Sequence, residues 1–262
     1  MNFSKEETLI VTKTTKTLIV PKGIKKLICI KISLETLILN EGIVYVDCGF
    51  NQLTVLTVPN SVIHLNCSYN HLTALIVPNS VIRFNCSGNQ LPKLIVPNGV
   101  IRFNCSGNQL TILIVPNGVT YLDCSNNELT ELTVPNSVTR LICSDNKLTI
   151  LFVSNSVTLL YCSNNQLTQL IVPNSVTDLS CHGNLLEDLS KYSELIKPKV
   201  VSLYAMCHGI VNENNIPKCF SKVDKVTCDG CKNKVVKDLV YTSYKGYRDG
   251  YIRKTIICKK CL

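Results

Sequence analysis

Cys29, Cys48, Cys67, Cys86, Cys105, Cys124, Cys143, Cys162 and Cys181 recur at intervals of 19 residues. From Cys48 onward each is followed three residues later by Asn, at 51, 70, 89, 108, 127, 146, 165 and 184. A fixed period of this kind restricts the chain to stacked units, each contacting only its neighbours. One unit reads V-T-R-L-I-C-S-D-N-K-L-T-I-L-F-V, from Val138 to Val153, and most units close with V-P-N-S or V-P-N-G. In Leu141-Ile142-Cys143 the alternation puts Leu141 and Cys143 on one face and Ile142 on the other, as a short strand requires. A single unit cannot bury its apolar face alone. Parallel strands about 4.8 Å apart solve this, and some ten units give a solenoid roughly 45 Å long.

The pattern L-x-x-L-x-L-x-x-N-x-L, with Cys in the third apolar slot, resembles the leucine-rich repeat family over roughly residues 8–196. The L-T-x-L-x-V-P segment is similar to the extended back of the short bacterial-type repeats of secreted effectors. The V-P-N-S-V spacer and C-S-x-N core also resemble the leucine-rich repeat proteins of giant amoeba viruses. That likeness implies a protein partner, a host protein in the cytoplasm of an infected cell. The expected fold is a leucine-rich repeat solenoid with short parallel strands on the concave face, an extended back and little helix.

Each repeated residue type has a physical task. The Asn amide both donates and accepts, so it can satisfy backbone groups of neighbouring turns that would otherwise be buried unpaired. Cys is a small apolar residue that fits a thin coil, and buried thiols far from cations are inert. Pro59, Pro78, Pro97, Pro116, Pro135 and Pro173 favour an extended back wall. Ile32 stands where Asn is expected and Asn40 where Pro is expected. Residues 1–40 therefore read as a degenerate N-terminal cap with the first repeats, and 41–196 as the solenoid with its C-terminal cap. The cap itself is expected as a short helix over 187–197.

Two columns of side chains face away from the core. One, placed by the pattern just before each strand, runs Tyr45, His64, Arg83, Arg102, Tyr121 and Arg140. The other, expected mid-strand, includes Asp47, Asn66, Asn85, Asn104 and Asp123. Arg and Tyr are enriched at binding hot spots, which makes these columns the candidate partner-binding surface. Asn66, Asn85 and Asn104 also lie in N-C-S triplets, but on strands rather than free loops. The recurring serines lack a matched His and acid, and no phosphate-binding or zinc-protease motif occurs, so no enzyme is expected.

Residues 197–262 differ in kind. They hold 14 basic and 5 acidic residues, which is the whole net charge of +9, whereas residues 1–196 hold 13 of each. Cys228-x-x-Cys231 and Cys258-x-x-Cys261 are separated by strand-like runs over 234–241 and 251–257 with a turn between. Two such pairs brought together supply four thiolates at tetrahedral geometry, so this basic segment resembles a zinc ribbon with a structural Zn²⁺. Cys207, His208 and Cys219 supply too few ligands for a second paired site. Tyr244, Lys245, Tyr247, Arg248, Arg253 and Lys254 interleave rings and cations, which suits nucleic acid as well as an acidic protein. The reading is a non-enzymatic interaction scaffold in a reducing, cytoplasmic compartment, since stacked thiols would scramble in an oxidising one. Its alternatives are a nucleic-acid-associated protein acting through the ribbon and an adaptor for ubiquitin transfer. No run of 18 apolar residues predicts a membrane span.

Overall fold

The computed structural model describes residues 3–186 and, beyond them, four short strands between 225 and 257. The chain divides into two compact units, Met1–Glu187 and Asp188–Leu262.

The first unit is a parallel ladder. Its strands are β1 (Thr8–Ile10), β3 (Lys26–Ile28), β5 (Tyr45–Asp47), β6 (His64–Asn66), β7 (Arg83–Asn85), β8 (Arg102–Asn104), β9 (Tyr121–Asp123), β10 (Arg140–Ile142), β11 (Leu159–Tyr161) and β12 (Asp178–Ser180). They form one ten-stranded sheet in that order. From β3 to β12 equivalent residues pair across 19 positions, as Arg83 does with Arg102. The first coil is one residue shorter, since Thr8 pairs with Lys26. On the opposite wall β2 (Thr17–Ile19) and β4 (Thr36–Ile38) form a separate parallel pair. Thus the first 40 residues already contribute rungs of the ladder.

Each strand is three residues long, and from β3 onward the ten-stranded sheet buries the middle one, such as Val46, Leu65, Phe84, Phe103 or Leu122. Two positions later lies Cys, buried at all nine of these rungs. The columns expected before and in the middle of the strands are in fact the first and last residues of each three-residue strand. Cys, in the third apolar slot, follows the strand rather than ending it. Alternation survives this shift, because moving the boundary by one residue does not change which side chains share a face. Phe84 and Phe103 stack in the core with ring centroids 5.4 Å apart and planes 11° apart.

Hydrogen bonding continues beyond the strands. The Cys86 N–H donates to the Asn104 carbonyl at 2.9 Å and the Gly88 N–H to the Ser106 carbonyl at 2.7 Å. In the V-P-N-S turns the Ser hydroxyl donates to the coil before, as Ser80 does to the Val62 carbonyl at 2.7 Å.

The Asn column sits inside the turn after each strand. Asn108 accepts from the Leu91 N–H at 3.0 Å and donates to the Cys86, Cys105 and Ser106 carbonyls. Two of these four partners belong to the preceding coil, so the amide both closes its own turn and ties it to its neighbour. Where Ile32 replaces the first Asn, Asn51 of the next coil still accepts from the Ile32 and Leu34 N–H groups. Asn40, in the slot of a missing Pro, donates to the Pro21 and Ile24 carbonyls and accepts from the Gly42 N–H.

Asn108 is buried, whereas the last ladder member, Asn184, is only partly buried. Asn108→Ala should therefore cost about 1 to 3 kcal/mol, the range for a buried polar group left without its partner. Asn184→Ala should cost less. Urea unfolding of both variants checks the ordering, and equal losses would show that burial does not set the cost.

Candidate partner-binding face

The outward face of the ten-stranded sheet carries both columns singled out in the sequence. At one end Lys26 lies over the Tyr45 ring, 5.2 Å from its centroid, and Tyr45 stacks on His64 at 4.3 Å. Further along, Tyr121 is flanked by Arg102 at 5.2 Å and Arg140 at 6.0 Å. Cations and rings therefore share one column, with Tyr45 beside His64 and Arg83 beside Arg102, held in register by 19-residue pairing. Such contacts pre-order Arg and Tyr side chains, which reduces what a partner must immobilise.

In the second column the acids and amides are engaged locally. Asn66 donates to Asp47 at 2.9 Å, while Asp123 accepts from the Ser125 N–H and hydroxyl. Asn85 and Asn104 accept from Ser87 and Ser106 through their carboxamide oxygens. Burial raises the Asp47 carboxyl above its ordinary value, against the opposing pull of its hydrogen bonds from Gly49 and Asn66. Burial, and then the neighbouring Arg83 charge, hold the His64 imidazole below its ordinary value. Burial followed by Asp123 raises the Tyr121 phenol.

Two further surface features went unread in the sequence. Residues at 31, 50, 69, 88, 107, 126, 145, 164 and 183 all adopt positive φ, between 51° and 66°. Gly, Asn and Asp suit that conformation at six of these positions, but Phe50 and Tyr69 adopt it too. Their rings stack at 4.4 Å and are about half exposed. The Tyr69 ring lies over Gly88, where an added Cβ would come within 2.7 Å of it. The second feature lies on the back wall, where Ile19, Ile38, Ile76, Ile95, Ile114, Phe152 and Ile171 form an outward column; Ile95 is 89% exposed. Its signal was the L-I-V run before the Pro-Asn turn, as in Leu113-Ile114-Val115, where alternation turns the Ile outward.

The ladder thiols are the core of these coils. All nine are free and buried. Burial pushes Cys29 and Cys67 up to about 12 and Cys181 up to about 11. Thiols held protonated and out of solvent are poor nucleophiles, so the folded ladder is inert in an oxidising as well as a reducing medium. The ladder thus places no demand on compartment once folded. Among the described residues no group of three or more His, Cys, Asp or Glu side chains is arranged to hold a metal. Nor is any helix there long and apolar enough to cross a membrane.

No family model matches the chain and no curated protein matches it. Solved structures do. The functional domain of InlJ from Listeria monocytogenes, described as including a cysteine ladder, is similar with 32% identity and a TM-score of 0.60. The likeness covers 66% of this chain and 42% of that one. YopM from Yersinia enterocolitica is similar with 26% identity and a TM-score of 0.54, over 62% of this chain and 42% of that one. The fold is a leucine-rich-repeat-type solenoid. This solenoid spans less than half the length of either neighbour, and both neighbours are of a kind that generally serves as non-enzymatic interaction scaffolds.

In the second unit β13 (Lys225–Thr227) pairs antiparallel with β14 (Lys234–Val236), and β15 (Tyr241–Tyr244) with β16 (Lys254–Ile257). The sequence suggested that 234–241 would pair with 251–257. Instead β14 turns back on β13 through a shorter connection, and β15, which includes the Ser243 expected in a turn, takes the later strand. Tyr244 and Lys254 are opposite one another in that pair. Lys245, Tyr247, Arg248 and Arg253 lie outside the described residues. So do Cys207, His208, Cys219, the four candidate zinc ligands Cys228, Cys231, Cys258 and Cys261, and the expected helix over 187–197.

The thiols give a pH expectation with a definite sign. Folded values raised above the ordinary 9.0 mean that the thiol contribution to stability is complete below pH 9 and is lost as pH rises toward about 12. Melting temperature should therefore fall between pH 9 and 11, and less steeply in Cys105→Ala than in the parent chain. Equal slopes would detach the alkaline transition from the ladder.

Proposed function

We propose that this chain is a non-enzymatic interaction scaffold that binds a partner protein through the outward face of its ten-stranded sheet, with a structural zinc in the basic second unit. The observation that carries the first part is the column of Tyr, His and Arg side chains on adjacent rungs, partly pre-ordered by ring and cation contacts. The likeness to leucine-rich repeat proteins supports a scaffold role. Repetition builds a long regular surface and no convergent cleft, which suits recognition of another macromolecule.

The zinc part rests on ligand chemistry and spacing. Cys228-x-x-Cys231 follows directly on β13 in the sequence and Cys258-x-x-Cys261 directly on β16. Four thiolates would leave no position for water, so the ion would tie the unit together rather than act on a substrate. Thiols of this kind must be kept reduced to bind metal, and this requirement, rather than the ladder, favours a reducing compartment.

A test uses full-length protein as bait, with nuclease present, in parent, Arg102→Ala/Tyr121→Ala and Cys258→Ser forms. The expected result is a discrete protein partner retained by the parent and weakened at least tenfold by the face variant, with unchanged melting. One zinc per chain should be measured in the parent and none in Cys258→Ser. A partner held equally by the face variant would move the site off the sheet; a metal-free parent would remove the zinc assignment.

A further inference from the structure

The segments 81–91 and 100–110 are identical, each reading V-I-R-F-N-C-S-G-N-Q-L. They place Arg83 directly beside Arg102 and Asn85 directly beside Asn104, in register on β7 and β8. The two Arg side chains are exposed. Neither guanidinium has a hydrogen bond or ion pair among the described residues; Arg102 makes only its ring contact with Tyr121. Asn85 and Asn104 spend their carboxamide oxygens on Ser87 and Ser106, which turns both amide NH₂ groups free to the surface. The adjacent amide at Asn66 differs, because its NH₂ is taken by Asp47.

Two rungs therefore present side-chain donors whose own carboxamide oxygens are already engaged. The acids of this column, Asp47 and Asp123, stand two rungs before β7 and one rung after β8. They stand four rung spacings apart, about 19 Å, and bracket the two-rung donor patch. Resting on the reading of this face as a protein-binding surface, we propose that Arg83, Asn85, Arg102 and Asn104 form a binding site for a pair of carboxylates on an extended or helical segment of the partner.

The geometry favours carboxylates on protein over a nucleic acid strand. Guanidinium forks bind planar carboxylates through two parallel hydrogen bonds, and the carboxamides add one donor each. Neighbouring rungs are about 4.8 Å apart, which matches acidic side chains at i and i+2 of a strand or i and i+3 or i+4 of a helix at about 5 to 7 Å. A longer polyanion would run its phosphates onto Asp47 and Asp123. Beside the patch the turn column carries Gly88 and Gly107 in place of larger side chains, and the Tyr69 ring lies over Gly88 as an apolar shelf.

The experiment is selection of a random dodecapeptide display library on the full-length chain. Parent, Arg83→Gln/Arg102→Gln and Tyr45→Ala/Tyr121→Ala forms are compared, with a 12-nucleotide single-stranded DNA as a separate probe. Neither arginine is buried or hydrogen-bonded, so the double Gln variant should melt as the parent does. Expected is enrichment of peptides with two acidic residues at these spacings, tenfold or more weaker on the Gln variant, together with their loss of binding when both acids become amides. Enrichment of non-acidic peptides lost only on the Tyr variant would overturn the carboxylate site while keeping the face as a binding surface. Peptides indifferent to both variants, or no enrichment at all, would overturn both. DNA binding lost with the two arginines, without acidic peptide binding, would replace the proposed ligand by phosphate.

Discussion

A 19-residue coil has to turn sharply after each three-residue strand, and the turn directs backbone N–H and C=O groups inward where no water reaches them. The ladder asparagine resolves this at eight successive rungs, from Asn51 to Asn184. One carboxamide accepts an N–H from the preceding coil and donates to carbonyls of both coils, so turn closure and coil spacing are set by the same side chain. Everything else rests on that spacing. If adjacent coils did not meet at a fixed distance and register, neither the thiol column nor the columns of the outer face would be columns at all.

The same regularity separates stability from recognition. Middle strand residues and cysteines look inward and pack, while the first and last strand residues look outward and do no structural work beyond their neighbour contacts. This division lets Arg83 and Arg102 stand exposed without ion-pair partners, and lets Asn85 and Asn104 keep donors unspent. On the back wall the alternation has a different result. Leu and Val alternate inward against outward isoleucines, giving an exposed apolar column.

Most of the first unit was legible because repetition averages out local ambiguity. The burial of Leu141 and Cys143 and the role of Asn108 follow from position in the repeat, and nine copies make each position certain. What escaped were features that depend on backbone geometry within the turn. Positive φ at Phe50 and Tyr69 could not be read from residue type, since aromatic residues rarely adopt it, and the stacking that accompanies it needs coordinates. Strand boundaries moved by one residue because three-residue strands end where the turn begins. In the second unit β14 and β16 fall within the expected runs, whereas β13 was not expected and β15 extends into the expected turn, because pairing in a hairpin depends on which connection is short enough to close.

By itself the sequence determined the period, the parallel stacking, the inward and outward columns and the neutral character of the repeat region against a basic tail. These are properties of order along the chain, and a strict repeat converts order directly into neighbourhood. Only the tertiary structure decided which polar groups were already satisfied. Asn66 and Asn85 are the same residue at the same repeat position, yet one donates to Asp47 and the other keeps its NH₂ free. That distinction depends on distances between side chains of adjacent coils, and a hydrogen bond is made or lost within a few tenths of an ångström.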